Sequence, residues 1–192
     1  MRRVVFAAAL LAGCVSAPKP IIRDGAPTRV PPGLEQLPNA TPRVEAIRPG
    51  GPNKPYEVFG VRYVPLLGDP PLQEHGLASW YGTRFHGQPT SSGEIYDMYA
   101  MTAAHKTMPI PSYARVRNPA NGREIVVRIN DRGPFAAGRV IDLSYTAALK
   151  LDLLRGVAAV QLRRITHQEI RSSAMDRLID QLGTSAADPA AP

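Results

Sequence analysis

Val127-Arg128-Ile129-Asn130-Asp131-Arg132-Gly133-Pro134-Phe135 is the stretch on which the fold turns. Its first residues alternate between apolar and polar, as in a half-buried β-strand, and it ends in a Gly-Pro turn. The strand delivers Asn130, Asp131 and Arg132 to that turn. Asp and Asn before Gly-Pro are common turn formers, so a structural role competes with a chemical one. Strand ends and the loops behind them are also where scaffolds hold reactive groups. Here a carboxylate sits between the cations Arg128 and Arg132.

Working outward, further strand-like runs are 56–65, 77–81, 99–105, 113–117, 124–130, 140–143 and 157–165. Asn121-Gly122 is the strongest hairpin signal. Ser144 caps a short helix over 146–149. Residues 82–97 form a long loop rich in Gly, Ser, Thr and Pro, a length that usually marks function or disorder. The sum is a mostly β chain with one or two short helices, which suggests a small closed barrel. Thr166 to Glu169 fits a capping box. Ala174, Met175, Leu178, Ile179 and Leu182 then line one helical stripe, which Gly183 ends.

The ends read differently. Arg2 and Arg3 precede an apolar core, Val4 to Ala12, too short to span a bilayer and suited to a secretory signal. Leu11-Ala12-Gly13-Cys14 looks like a lipobox, which makes residues 1–13 a lipoprotein signal and the single cysteine, Cys14, a lipidation site. Several acyl chains on one residue suffice for stable anchoring. Val15 stands where an inner-membrane retention aspartate is often found, which favours the outer membrane. Residues 15–53 hold nine of the 20 prolines and little apolar periodicity. As a flexible coil, this tether reaches roughly 35 Å. Without Arg2 and Arg3 the chain keeps 21 basic and 16 acidic side chains, a net +5. That favours anionic partners such as wall polymers or lipid head groups, and no dense basic patch interleaved with aromatics argues for nucleic acid. The four histidines show no metal-binding spacing, and no metal or cofactor is expected.

The chain resembles the rare lipoprotein A (RlpA) family. The matching segments are Gly76-Leu-Ala-Ser-Trp-Tyr-Gly82, Phe85-His-Gly87, Gly93-Glu94, Thr102-Ala-Ala-His-Lys-Thr-Met-Pro109 and Asn121-Gly122-Arg123. They continue with Val127 to Pro134 and Arg139-Val-Ile-Asp-Leu-Ser144, in the family's order and close to its spacing. The resemblance implies a six-stranded double-psi β-barrel over 76–165. Around it lie a lipidated Cys and tether (14–53), a lead-in (54–75), a C-terminal helix (166–183) and a tail (184–192). It implies a lytic transglycosylase that cuts the MurNAc–GlcNAc bonds of peptidoglycan strands lacking stem peptides and leaves 1,6-anhydro-MurNAc ends. By the same resemblance Asp131, Glu94 and His105 are the catalytic positions.

In such an enzyme one acid can protonate the glycosidic oxygen and then take the proton of the sugar's C6 hydroxyl. Asp131 is the expected acid/base. Glu94 is its expected carboxylate neighbour, with His105 orienting a carboxyl group or touching substrate. Trp80 and Tyr81 are candidates for stacking on sugar rings. Lys106, Arg128, Arg132 and Arg139 are candidates for the lactyl carboxylate that a stripped muramic acid exposes. Expected partners are glycan strands, the membrane through Cys14, and division or wall-remodelling proteins. The competing function is a non-catalytic wall-binding or wall-loosening lipoprotein, since related barrels bind wall polymers without evident hydrolysis.

Overall fold

The structure, a computed structural model, describes residues 24–47 and 49–185, with side chains described to residue 177. The signal segment, Cys14, the residues up to 23, the tail from 186 and the side chains of Leu178, Ile179 and Leu182 lie outside that description.

Eight strands and two helices follow one another as β1 (Tyr56–Val58), β2 (Val61–Tyr63), β3 (Gln73–Trp80), β4 (Thr102–His105), β5 (Ser112–Arg117), β6 (Glu124–Asp131), β7 (Arg139–Leu143), α1 (Tyr145–Lys150), β8 (Ala158–Ile165) and α2 (His167–Ser185). Six of the strands close a barrel in the order β3-β7-β4-β6-β5-β8, so the barrel strands leave no free edge to be managed. The pairs β3–β7 and β4–β6 are parallel, and the other four are antiparallel. This is the mostly β, six-stranded double-psi barrel that the motifs implied.

Period-2 alternation fills the barrel. Ile125, Val127 and Ile129 of β6 point inward with Ala103, Ala114, Val116, Ile141, Leu143, Val160 and Leu162. Each large aliphatic buried there contributes roughly 1.5–3 kcal/mol of transfer free energy. One end is closed by α1, whose Ala147 and Ala148 join the same cluster. Ser144 caps that helix by accepting the Ala147 amide. The capping box before α2 also forms. Glu169 Oε2 accepts the Thr166 amide at 2.8 Å, and Thr166 Oγ1 accepts the Glu169 amide at 3.2 Å. The helix meets the barrel through Ile170, packed with Tyr113 and Ile165. Ala174 and Met175 of the expected stripe are exposed.

Two bulges matter for the site. Ala103 pairs with Ile129 and Ala104 with Asp131, so Asn130 is an extra residue on β6. Strict alternation would send Asp131 inward with Ile125, Val127 and Ile129. The bulge restores it to the outward face of Ala104. A second shift lies between Leu77 and Ala78, where β3 meets Arg139 and then Ile141. Gly76 makes that approach possible, because a Cβ there would stand 2.5 Å from Val140 Cγ1.

The Pro-rich segment, expected to be a free tether, lies on the barrel along its described length. Leu34 is buried with Tyr81, Tyr96, Met98, Ala104 and Tyr145. The Ala40 amide donates to the Val126 carbonyl at 3.1 Å. Asp24 Oδ1 accepts the amides of Gly82 and Arg84 at 3.0 and 3.2 Å, and Gly25 O accepts Thr83 N–H at 3.0 Å. Composition disfavours a self-contained core in this segment, but it does not prevent single apolar and charged residues from docking on a neighbouring one. We call residues 24–47 the strap.

Candidate active site

A cleft of about 200 Å³ opens where the parallel strands β4 and β6 end, beside β7, lined by Tyr81, Phe85, Ala104, Asp131, Arg132, Gly133, Pro134, Phe135 and Asp142. Aromatic walls and a few convergent polar groups are what a small-ligand or sugar site presents. Tyr81 stacks on Tyr96 with ring centroids 4.1 Å apart and meets Phe85 edge-on at 5.9 Å. On the other side, Tyr56 and Tyr63 of the β1–β2 hairpin hold Phe135 at 6.1 and 5.5 Å. The hairpin thereby fixes the Gly-Pro-Phe turn.

Asp131 is half-buried at the mouth. Its Oδ1 accepts the Ser91 amide at 2.8 Å, the Ser91 hydroxyl at 2.6 Å and the Arg132 amide at 2.8 Å. Asp131 Oδ2 has no hydrogen bond among the described residues and is available to a ligand.

Glu94 lies on the same loop as Ser91, on the far side of the bulge. Both its oxygens accept from Arg128 Nη1 at 2.7 Å, and Oε2 also accepts from Asn130 Nδ2 at 2.9 Å. It makes no hydrogen bond to Asp131. The two carboxylates are linked through the 91–94 loop, which Asn130 and Asp131 grip from adjacent positions. A hollow of about 500 Å³ begins at Glu94 and Arg128 and is floored by Pro49, Asn53 and Ile110.

His105 is buried and turned away from the cleft, as its neighbour Ala104 faces it. Its Nδ1 accepts the amides of Thr107 and Met108 at 3.1 and 2.9 Å, so Nε2 carries the hydrogen and donates to Glu74 Oε2 at 3.3 Å. That hydrogen bond holds the Glu74 carboxyl below its usual range. The imidazole thus shapes the turn after β4.

The cations sort themselves. Arg128 is engaged by Glu94 and by a fork to Glu45, with Nε 2.9 Å and Nη2 3.0 Å from its two oxygens. Arg132 donates to the carbonyls of Pro52, His105 and Met108 and to Asn53 Oδ1, and burial pulls its guanidinium down to about 10. Both guanidinium groups make their hydrogen bonds elsewhere, while Arg132 stays close enough to Asp131 for the two charges to attract. Arg139 Nη1 donates to Ser79 Oγ at 2.8 Å and lies 3.9 Å from Asp142 Oδ1, while Lys106 Nζ donates to Arg139 O at 2.6 Å. Trp80 packs edge-on against Tyr145 at 5.6 Å and against both core clusters, whereas Tyr81 lines the cleft.

Sequence reasoning passed over Asp142, which it placed in a strand and gave no role. Ser79 Oγ donates to Asp142 Oδ1, and burial pushes this carboxyl up, with Ser79, Arg139 and Lys106 acting in the other direction. A lone acid between the buried Ile141 and Leu143, at an outward position of an alternating strand, was the available signal. Among the described residues no group of three or more His, Cys, Asp or Glu side chains could hold a metal ion.

The fold and site together are a closed double-psi barrel with an aspartate raised on a bulge into an aromatic cleft. Residues 73–162 match the domain family described as "Lytic transglycolase". The chain is 48% identical over 159 residues to the endolytic peptidoglycan transglycosylase RlpA of Vibrio cholerae serotype O1, a match covering 82% of this chain and 60% of that one. It is 54% identical over 114 residues to the protein of the same name from Neisseria meningitidis serogroup A, covering 59% of this chain and 48% of that one. Among solved structures, Streptomyces papain inhibitor matches at 25% identity and a TM-score of 0.41, over 49% of this chain and 94% of that one. The barrel, residues 73–162, is a lytic transglycosylase domain, and over it the chain is similar to the RlpA proteins. The chain spans about half to three-fifths of the length of these two relatives.

Proposed function

We propose that the chain is an endolytic peptidoglycan lytic transglycosylase. It cleaves MurNAc–GlcNAc bonds in strands lacking stem peptides and leaves 1,6-anhydro-MurNAc ends. The observation that carries this is Asp131, re-aimed by the Asn130 bulge into a cleft with aromatic walls. A group with one oxygen anchored by three donors and the other open suits proton transfer at a sugar. Arg128 and Arg132 have Nε, Nη1 and Nη2 all engaged, whereas Arg139 donates through Nη1 alone and Lys106 makes one hydrogen bond, so these two keep donors for a lactyl carboxylate. A lipid on Cys14 would hold the domain at the periplasmic face of the outer membrane, facing the wall.

The test is mass spectrometry of amidase-stripped sacculi incubated with the mature chain. New anhydro-ended fragments that disappear with Asp131→Asn support the enzyme. Binding to sacculi with no new ends would replace it with the non-catalytic wall-binding reading.

A further inference from the structure

Asp142 has no part in the single-acid scheme, yet it shares the cleft with Asp131. Ala104 is the Cα partner of Asp131 across β4–β6 and of Asp142 across β4–β7. The two aspartates therefore flank one small residue at one height of the barrel, about 10 Å apart at Cα by two strand spacings. Ala104 leaves the space between them open, and Gly133 borders it, with a Cβ built there 4.0 Å from both Ala104 Cβ and Asp142 Oδ2.

Their surroundings differ in kind. Asp131 presents Oδ2 at the mouth while three donors occupy Oδ1. The Asp142 side chain is 21% exposed. It ends a relay in which Arg139 donates to Ser79 and Ser79 donates to Asp142. The charged groups that act on it are Arg139 of its own strand and Lys106 beyond β4, which favour the carboxylate, and Asp24 of the strap, which opposes it. Burial outweighs the cations and favours the protonated acid. Acid and base roles are usually divided between two carboxyl groups held in unlike surroundings.

We propose that Asp142 is a second catalytic carboxylate, the general acid that protonates the glycosidic oxygen, while Asp131 accepts the proton of the C6 hydroxyl. This rests on the transglycosylase reading and deepens it. The bond from the muramic acid C1 to the bridging oxygen breaks, its electron pair stays on that oxygen, and the Asp142 proton joins it. The C6 oxygen forms the new bond to C1 and its proton goes to Asp131. No water is consumed. One proton then passes from Asp131 to Asp142, directly or through solvent, to restore the starting state.

The experiment compares the full chain, Asp142→Asn and Asp131→Asn on amidase-stripped strands and on a nitrophenyl β-glycoside of N-acetylmuramic acid, whose leaving group needs little protonation. On strands, Asp142→Asn is expected to lose about 10²–10⁴-fold in kcat with KM little changed. On the nitrophenyl substrate it should lose less than about tenfold, whereas Asp131→Asn loses on both. Ser79→Ala keeps the acid but removes a donor to its carboxylate form, and should move the basic limb of the pH–rate profile upward. Equal losses for Asp142→Asn on the two substrates, or an unaltered rate on strands, would overturn the assignment while leaving the transglycosylase reading intact. A wild-type chain that releases no anhydro ends overturns both.

Discussion

Ser91 gives both its backbone amide and its hydroxyl to a single oxygen of Asp131, at 2.8 and 2.6 Å. The aspartate is thus oriented by a loop that is distant in sequence and that Asn130 fastens through Glu94. Ser91→Ala keeps the amide bond and loses the hydroxyl. We expect kcat on stripped strands to fall about tenfold, the equivalent of about 1.4 kcal/mol, with the melting temperature nearly unchanged. Ser91→Thr should restore most of the rate. Wild-type kcat in the alanine variant would remove Ser91 from the site.

His105 is expected to matter through the fold. His105→Ala leaves the Thr107 and Met108 amides without their acceptor and opens a cavity beside Met108. The cost should be about 2–4 kcal/mol, read by urea denaturation, with loss of activity tracking loss of folded protein. A variant as stable as wild type but inactive would instead place the imidazole in the reaction.

Acid should loosen the strap. Hydrogen bonds from Arg128 hold Glu45 at about 2, below its ordinary 4.5. A depressed carboxyl gives stability that is present above 4.5 and lost as pH falls toward 2. Hydrogen exchange at Ala40, whose amide bonds Val126, should accelerate over that window once corrected for the intrinsic rate. Glu45→Gln should exchange faster at neutral pH and show a smaller change over the window.

Asp142 makes the opposite prediction. Its folded-state value is raised above the ordinary 3.8. The corresponding stability is present below 3.8 and is lost as pH rises through the folded-state value. Asp142→Asn should therefore melt at a higher temperature than wild type at pH 7, with the two converging below 3.8. A lower melting temperature at pH 7 would show that the cations outweigh burial.

Much of this molecule can be read from its residues, and the reasons for the rest are physical. The β6 alternation, the Asn121-Gly122 hairpin, the Ser144 cap and the Thr166 capping box are local signals, and each has its counterpart in the fold. Asp131 was found by its place at a strand end. Its true direction was not, because a bulge depends on the partner strand and no residue on β6 announces it. Asp142 reads as one more strand residue until β4 places it beside Asp131. The strap was missed because Leu34 and Glu45 bury against Tyr145 and Arg128, contacts that only the closed barrel supplies.

The docking of Asp24 at Gly82 fixes the described start of the Pro-rich segment beside Tyr81 of the cleft. A Cβ on Gly82 would collide with the Gly25 carbonyl at 2.1 Å, so the Asp24 carboxylate and the Gly25 carbonyl can reach this turn only because it carries a glycine. Strap and cleft thereby share the Tyr81–Gly82 wall, so a group that pries the strap loose also reshapes the mouth.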